Sequence, residues 1–273
     1  MRGLYAIVDT TVCRRARVDP VDVADAILAA GPAALQLRAK TEGARVTLEL
    51  LRALAPRCAA EGTQLFANDR PDLALLAGCG GVHLGQSDLA PADVRRLAAR
   101  AERADLRIGA STHDEGELDR ALEEPIDVLA IGPIFGTASK LDPEPTLGLE
   151  EALRLAARAQ RARPSIARVA IGGIGEAEVA RLASAFDAFA VIGALLPAGL
   201  EGAAALAAAR SAAIRLRGAF EADVPVELAE VKELVLGQFD DGPKPQGQRR
   251  VGGLGRRHSP LGHGRHDPSP LIR

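Results

Sequence analysis

Tryptophan is absent from the 273 residues, tyrosine and methionine occur once each, and aromatic side chains make up only 3% of the chain. That scarcity excludes the stacking platforms on which single-strand nucleic-acid binders lay their bases. Neither charge is in large excess. The 34 basic side chains face 36 acidic ones, a net charge of −2, so the sequence carries no footprint for a phosphate backbone. No apolar run approaches the roughly 18 residues of a membrane span. The opening MRGLYAIVDT turns polar too early for a signal peptide. These absences lead us to expect a soluble cytoplasmic protein that binds neither nucleic acid nor membrane. Cys13, Cys58 and Cys79 are odd in number and lack CxxC spacing, so they are expected as reduced, buried thiols. With 47% hydrophobic residues over this length, the chain needs no disulfide or metal to support a core.

What is present is an alternation. Short β-branched or apolar runs are separated by longer Ala/Leu/Arg stretches of helical period, the pattern of βα units around a parallel sheet. Eight strands are expected: Leu4–Val8, Ala33–Leu37, Gln64–Ala67, Gly81–Leu84, Leu106–Gly109, Val128–Ile131, Arg168–Ile171 and Ala188–Ile192. Helices are expected at Pro20–Ala30, Arg45–Glu61, Pro91–Ala104, Leu149–Arg161, Glu176–Ala185 and Gly202–Arg217, with a further helical stretch at Val226–Leu236. Eight such units in about 215 residues suit an α/β fold of the (β/α)8 TIM barrel type, whose chemistry sits where strands run into helices. Residues 1–218 would form the barrel and 219–239 an extra helical segment. Residues 240–273 are rich in Gly, Pro, Arg and His and carry seven Lys/Arg against three Asp. They read as a disordered tail without an assigned role.

Polar residues gather after the expected strands. In LQLRAK, alternation puts Gln36, Arg38 and Lys40 on one side of the chain, a clamp for an anion if they are more than solvated loop charges. Strand three ends in Asn68, Asp69 and Arg70. Strand four passes through His83, itself a candidate, into Gly85, Gln86, Ser87 and Asp88. Carboxylates from neighbouring strand ends can share one Mg²⁺ with substrate phosphate oxygens, which makes Asp69 and Asp88 candidate ligands. Each also stands where a helix cap would, shortly before a proline. After strands five and six come Ser111, His113, Thr137, Ser139 and Lys140, offering hydroxyls, a cation and a candidate acid/base. His113 also fits a capping or packing role. Gly172 and Gly173 after strand seven, with Ile192 and Gly193 at strand eight, place backbone N–H groups where barrels of this type hold a phosphate. Two anionic sites at one mouth suit an enzyme that joins two phosphorylated substrates.

LQLRAK, the AND of residues 67–69, GVHLGQSD, GASTH, IGPIFGTASK and VAIGGI, in this order and spacing, resemble the thiamine phosphate synthase family over residues 3–215. The resemblance implies a transferase that condenses a hydroxymethylpyrimidine diphosphate with a thiazole phosphate, releasing pyrophosphate. It implies that Gln36, Arg38, Lys40, Asn68 and Lys140 bind the diphosphate substrate, with Ser111 beside it, and that Asp69 and Asp88 hold Mg²⁺. Arg38, Lys40, Lys140 and Ser111 would assist the reaction. Thr137 and Ser139 would contact the thiazole partner, and Gly173 with Ile192 and Gly193 would receive its phosphate. Two positions depart from the family pattern: Gly193 where serine is common and Ser139 where threonine is frequent. Two alternatives stand beside this reading. One is a thiazole tautomerase of the same fold, using His113. The other is a non-catalytic barrel that binds thiamine-pathway phosphates. A homo-oligomer fits any of them.

Overall fold

A computed structural model of the chain describes residues 1–136 and 145–222. Eight parallel strands close into a barrel in sequence order: β1 (Gly3–Asp9), β2 (Ala34–Arg38), β3 (Gln64–Asn68), β4 (Gly81–Leu84), β5 (Arg107–Thr112), β6 (Val128–Ile131), β7 (Ala167–Ile171) and β8 (Ala188–Val191). The ring closes where Tyr5 pairs with Ala190, and on its other side β1 sets Asp9 level with Arg38 of β2. Around the strands lie α1 (Thr10–Arg15), α2 (Pro20–Leu28), α3 (Ala44–Ala60), α4 (Pro71–Ala77), α5 (Pro91–Arg100), α6 (Glu115–Glu123), α7 (Leu149–Ala162), α8 (Glu176–Val179) and α9 (Gly202–Ala222). The expected eightfold barrel is the observed fold.

The period-two alternation of the strands divides the core in two. On β1, Leu4, Ala6 and Val8 point outward to the helices, whereas Tyr5 and Ile7 point into the ring. The interior is completed by Ala34, Phe66, Val128, Ala130, Val169, Ala188 and Ala190, all buried. Tyr5 and Phe66 stack with ring centroids 5.4 Å apart, and the small alanines leave them room. Phe66 also explains a glycine in β4, because a Cβ on Gly81 would fall 2.3 Å from its ring. The outer layer buries the larger apolar set, each leucine, valine or phenylalanine contributing roughly 1.5–3 kcal/mol. Cys13, Cys58 and Cys79 belong to this layer as free, buried thiols. Among the described residues no helix is long and apolar enough to cross a membrane.

Several boundaries differ from expectation. β5 continues three residues past Gly109, so Ser111 sits on the strand itself rather than in the loop that follows. α5 stops at Arg100, four residues early, because Glu102 takes a left-handed φ of 57° and Arg103 N–H turns back to Ala98 C=O. The helix expected over Glu176–Ala185 is one α-turn, α8, followed by a 3₁₀ turn at Ala180–Leu182. α4 and α6 are short helices at places where a helix cap was expected but no helix bounds were set, and α1 is a further short turn after β1. The expected helix at Val226–Leu236 and the tail from Asp240 lie outside the described residues.

Candidate active site

The C-terminal ends of β2, β3 and β4 build one wall of the barrel mouth. Gln36 is buried and donates its side-chain N–H to the Tyr5 hydroxyl at 3.1 Å. Burial drives that hydroxyl well above its ordinary pKa, so Tyr5 is a neutral hydrogen-bonding partner. Arg38 ends β2, and Lys40 follows two residues later on the same side of the chain. Asn68 ends β3. Asp69, just beyond it, adopts a left-handed φ of 61° that few non-glycine residues accept, and its N–H bonds to His83 C=O at 2.8 Å. This turn aims the Asp69 carboxylate at Lys40 Nζ, 2.9 Å away.

Asp88 comes from the loop after β4 and is held by the Gly85 N–H at 2.7 Å. Its carboxyl lies within hydrogen-bonding reach of Asp69. Burial pushes the Asp88 carboxyl above the usual carboxylate range; the Gly85 N–H pulls it back, and the facing Asp69 raises it again. Two carboxylates in contact need either a shared proton or a cation between them. Neither is a helix cap: Arg70 and Ala90 occupy the N-cap positions of α4 and α5. Ser111 on β5 bonds through Oγ to His83 Nε2 at 2.9 Å, and its C=O accepts the Gln86 amide at 2.6 Å. His113 is fixed twice by Glu117, whose Oε2 accepts both the His113 backbone N–H and Nδ1–H at 2.8 Å.

Gln36, Arg38, Lys40, Asn68, Asp69, His83, Ser111 and His113 all border one cavity of about 120 Å³. Asp88 reaches it through Asp69 and Gly85. A larger cavity, about 570 Å³, adjoins it along Ser111, His113, Ile171, Ala190 and Ile192. It runs past Gly172, Gly173 and Gly193 to the Leu196–Leu200 segment and α1. Residues expected at the two anion sites therefore line adjoining cavities. Thr137, Ser139 and Lys140 lie outside the described residues; Gly136, just before them, is on the wall of the larger cavity.

The glycines after β7 have a structural reason of their own. Gly173 has a φ of 63°, and a Cβ there would lie 2.3 Å from Gly136 C=O. At Gly172, with φ 99°, a Cβ would meet the Pro133 backbone at 2.4 Å. The chain leaving β6 presses directly on the β7 turn, bonding Phe135 N–H to Gly172 C=O at 3.0 Å. Asp9, Tyr5 and Glu117 were not among the residues expected from the sequence, and Gln86 was named there without a role. Asp9 had a visible signal, an acid ending a strand as the candidates on β2 to β5 do.

A profile of thiamine monophosphate synthases matches residues 4–195, most of the barrel. The chain belongs to the thiamine monophosphate synthase family. Among its relatives, the thiamine-phosphate synthase of Anaeromyxobacter dehalogenans is 39% identical over 220 residues, covering 81% of this chain and 88% of that one. The thiamine-phosphate synthase of Laribacter hongkongensis is 36% identical over 198 residues, covering 72% and 88%. Among solved structures, a thiamine phosphate pyrophosphorylase from Pyrococcus furiosus superposes with a TM-score of 0.67 at 27% identity, over 82% of this chain and 97% of that one. Membership makes the chain a transferase, a thiamine phosphate synthase by family.

Proposed function

We propose that the smaller cavity takes a pyrimidine diphosphate and the larger one a thiazole phosphate, and that the chain joins them with release of pyrophosphate. The observation that carries this reading is the Asp69 carboxylate, 2.9 Å from Lys40 in a cavity that Arg38 also lines, with Asp88 close enough for the two acids to feel each other's charge. Paired hard oxygen donors suit Mg²⁺. Among the described residues no third His, Cys, Asp or Glu joins a metal-binding group, which leaves coordination positions for diphosphate oxygens and water. The residues present therefore fit the ion, and Asp69 and Asp88 are the groups that would hold it. When bound, Mg²⁺ supplies positive charge to the diphosphate as its negative charge grows.

The chain's own residues do the rest. Arg38 grips diphosphate oxygens with its fork of donors, while Lys40 adds a point charge. Lys140, by the sequence pattern, adds another from the loop after β6. As the bond between the pyrimidine methylene and the diphosphate breaks, its electron pair leaves on pyrophosphate, and these cations stabilise the developing charge. Gln36, locked by Tyr5, and Ser111, locked by His83, orient the pyrimidine. The thiazole nitrogen then donates its lone pair to the methylene carbon, held in line by a phosphate seated on the backbone around Gly173, Ile192 and Gly193. No protein nucleophile takes part. The same reading makes residues 1–218 the catalytic unit, with α9 carrying on from it to Ala222. The protein would act in the cytoplasm.

The test is pyrophosphate release by the full chain with both substrates, with Mg²⁺ and after exhaustive chelation. Release is expected only with both substrates and the ion. Conversion of the thiazole substrate alone would move the assignment to a tautomerase using His113, and tight binding of both substrates without release would make the barrel a non-catalytic binder.

A further inference from the structure

Asp9 is an acidic residue at the end of a barrel strand with no part in the proposed reaction, and its surroundings are unusual for a charge. It ends β1, is 2% exposed, and lines neither cavity among the described residues. Each carboxylate oxygen has a different task. Oδ1 accepts the N–H groups of Thr11 and Val12, at 2.8 and 3.0 Å, and so caps α1. Oδ2 receives the guanidinium of Arg38, its register neighbour on β2. Arg38, in contrast, does face the smaller cavity, with 19% of its side chain exposed.

We propose that Asp9 is a positioning residue for the diphosphate clamp: bolted to the start of α1 through one oxygen, it holds the Arg38 guanidinium in its binding orientation with the other. This rests on the reading that Arg38 grips the diphosphate. An arginine side chain is costly to order, and one edge fixed on a buried carboxylate leaves the remaining donors aimed at the cavity before the ligand arrives. Asp9 does not simply cancel the cation it holds. Its charge is already shared with two backbone N–H groups, and Arg38 has five donors to distribute. A second tie reinforces the arrangement. Glu42, on the loop that follows Lys40, accepts hydrogen bonds from Thr10 and Arg14 of α1, which ties the β2 loop to α1.

The test is titration of the full chain with inorganic pyrophosphate in Mg²⁺, alongside steady-state kinetics, for wild type, Asp9→Asn, Arg38→Gln and the double variant. Asparagine keeps an oxygen to cap α1 but presents no charge to Arg38, and glutamine at 38 keeps a donor for Asp9. Asp9→Asn is expected to weaken pyrophosphate about tenfold and to raise KM for the diphosphate substrate similarly. KM for the thiazole phosphate should stay within about twofold, and in the Arg38→Gln background the same change should add less than about twofold. Should Asp9→Asn not fold, Asp9→Ser, which also retains a capping oxygen, makes the same comparison. Unchanged or tighter pyrophosphate binding in Asp9→Asn, with Arg38→Gln clearly weakened, overturns the role of Asp9 alone. A loss of equal size in both backgrounds does the same, because it marks a general structural effect. Undiminished binding in Arg38→Gln itself removes the clamp reading on which the proposal stands.

Discussion

The two cavities share a wall yet are built by opposite means. On the β2–β4 side, charged side chains are already engaged with one another: Lys40 with Asp69, Asp69 with Asp88, Arg38 with Asp9. On the β6–β8 side the wall is mostly glycine, alanine and aliphatic residues, and the proposed phosphate seat there is backbone. Under the proposed reaction, a diphosphate whose charge grows would call for preset cations and a metal. A phosphate that only anchors its substrate needs no more than oriented N–H groups. The charged side is therefore sensitive to single side-chain changes, and the glycine side to changes of backbone shape.

The sharpest way to break that contrast is Asp69→Asn, which keeps a residue tolerant of the left-handed turn but weakens the donor set. Turnover is expected to fall about 100-fold or more, with the melting temperature changed by only a few degrees. A steady-state rate near that of wild type would show that the acid pair is not needed. On the other side, Gly173→Ala adds a Cβ at a positive φ against Gly136 C=O. It should cost roughly 1–3 kcal/mol of stability in chemical denaturation. It should raise KM for the thiazole phosphate while pyrophosphate affinity stays within about twofold; equal loss at both sites would dissolve the distinction between the cavities.

Much of this organisation could be read before any coordinates. Leu4, Ala6 and Val8 against Tyr5 and Ile7 show the period of a strand buried on both faces. Residues such as Arg38, Asn68 and Asp88 announce themselves by being polar where such strands end. What could not be read depends on register and contact. Asp9 meets Arg38 because β1 and β2 pair in one particular alignment, which no local pattern specifies. The crowding of Gly172 and Gly173 comes from the chain leaving β6, far away in sequence. Ser111 proved to be a strand residue because β5 continues past Gly109, and its bond to His83 needs β4 alongside.

Two smaller effects refine the comparison. Gly193→Ser introduces the hydroxyl common in the family and should lower KM for the thiazole phosphate a few-fold at most, leaving the diphosphate side unmoved. A change in pyrophosphate affinity of similar size would mean the cavities are coupled. Away from both sites, burial raises the thiols of Cys13 and Cys79 to about 12 and that of Cys58 to about 11. Their folded values lie above the unfolded one, so their contribution to stability is complete below about pH 8.5 and is lost as pH rises through about 11 to 12. At pH 8 the native thiols should resist iodoacetamide and all three should react in guanidinium, with rapid native labelling contradicting their burial.

The account stands or falls on whether the Asp69 and Asp88 pair recruits a divalent ion to a diphosphate. The direct measurement is the affinity of the full chain for inorganic pyrophosphate with Mg²⁺ and with chelator, in wild type and in Asp69→Asn. Mg²⁺ should tighten binding by about tenfold or more in wild type and by much less in the variant. The same gain in both proteins, or no gain in wild type, would contradict it.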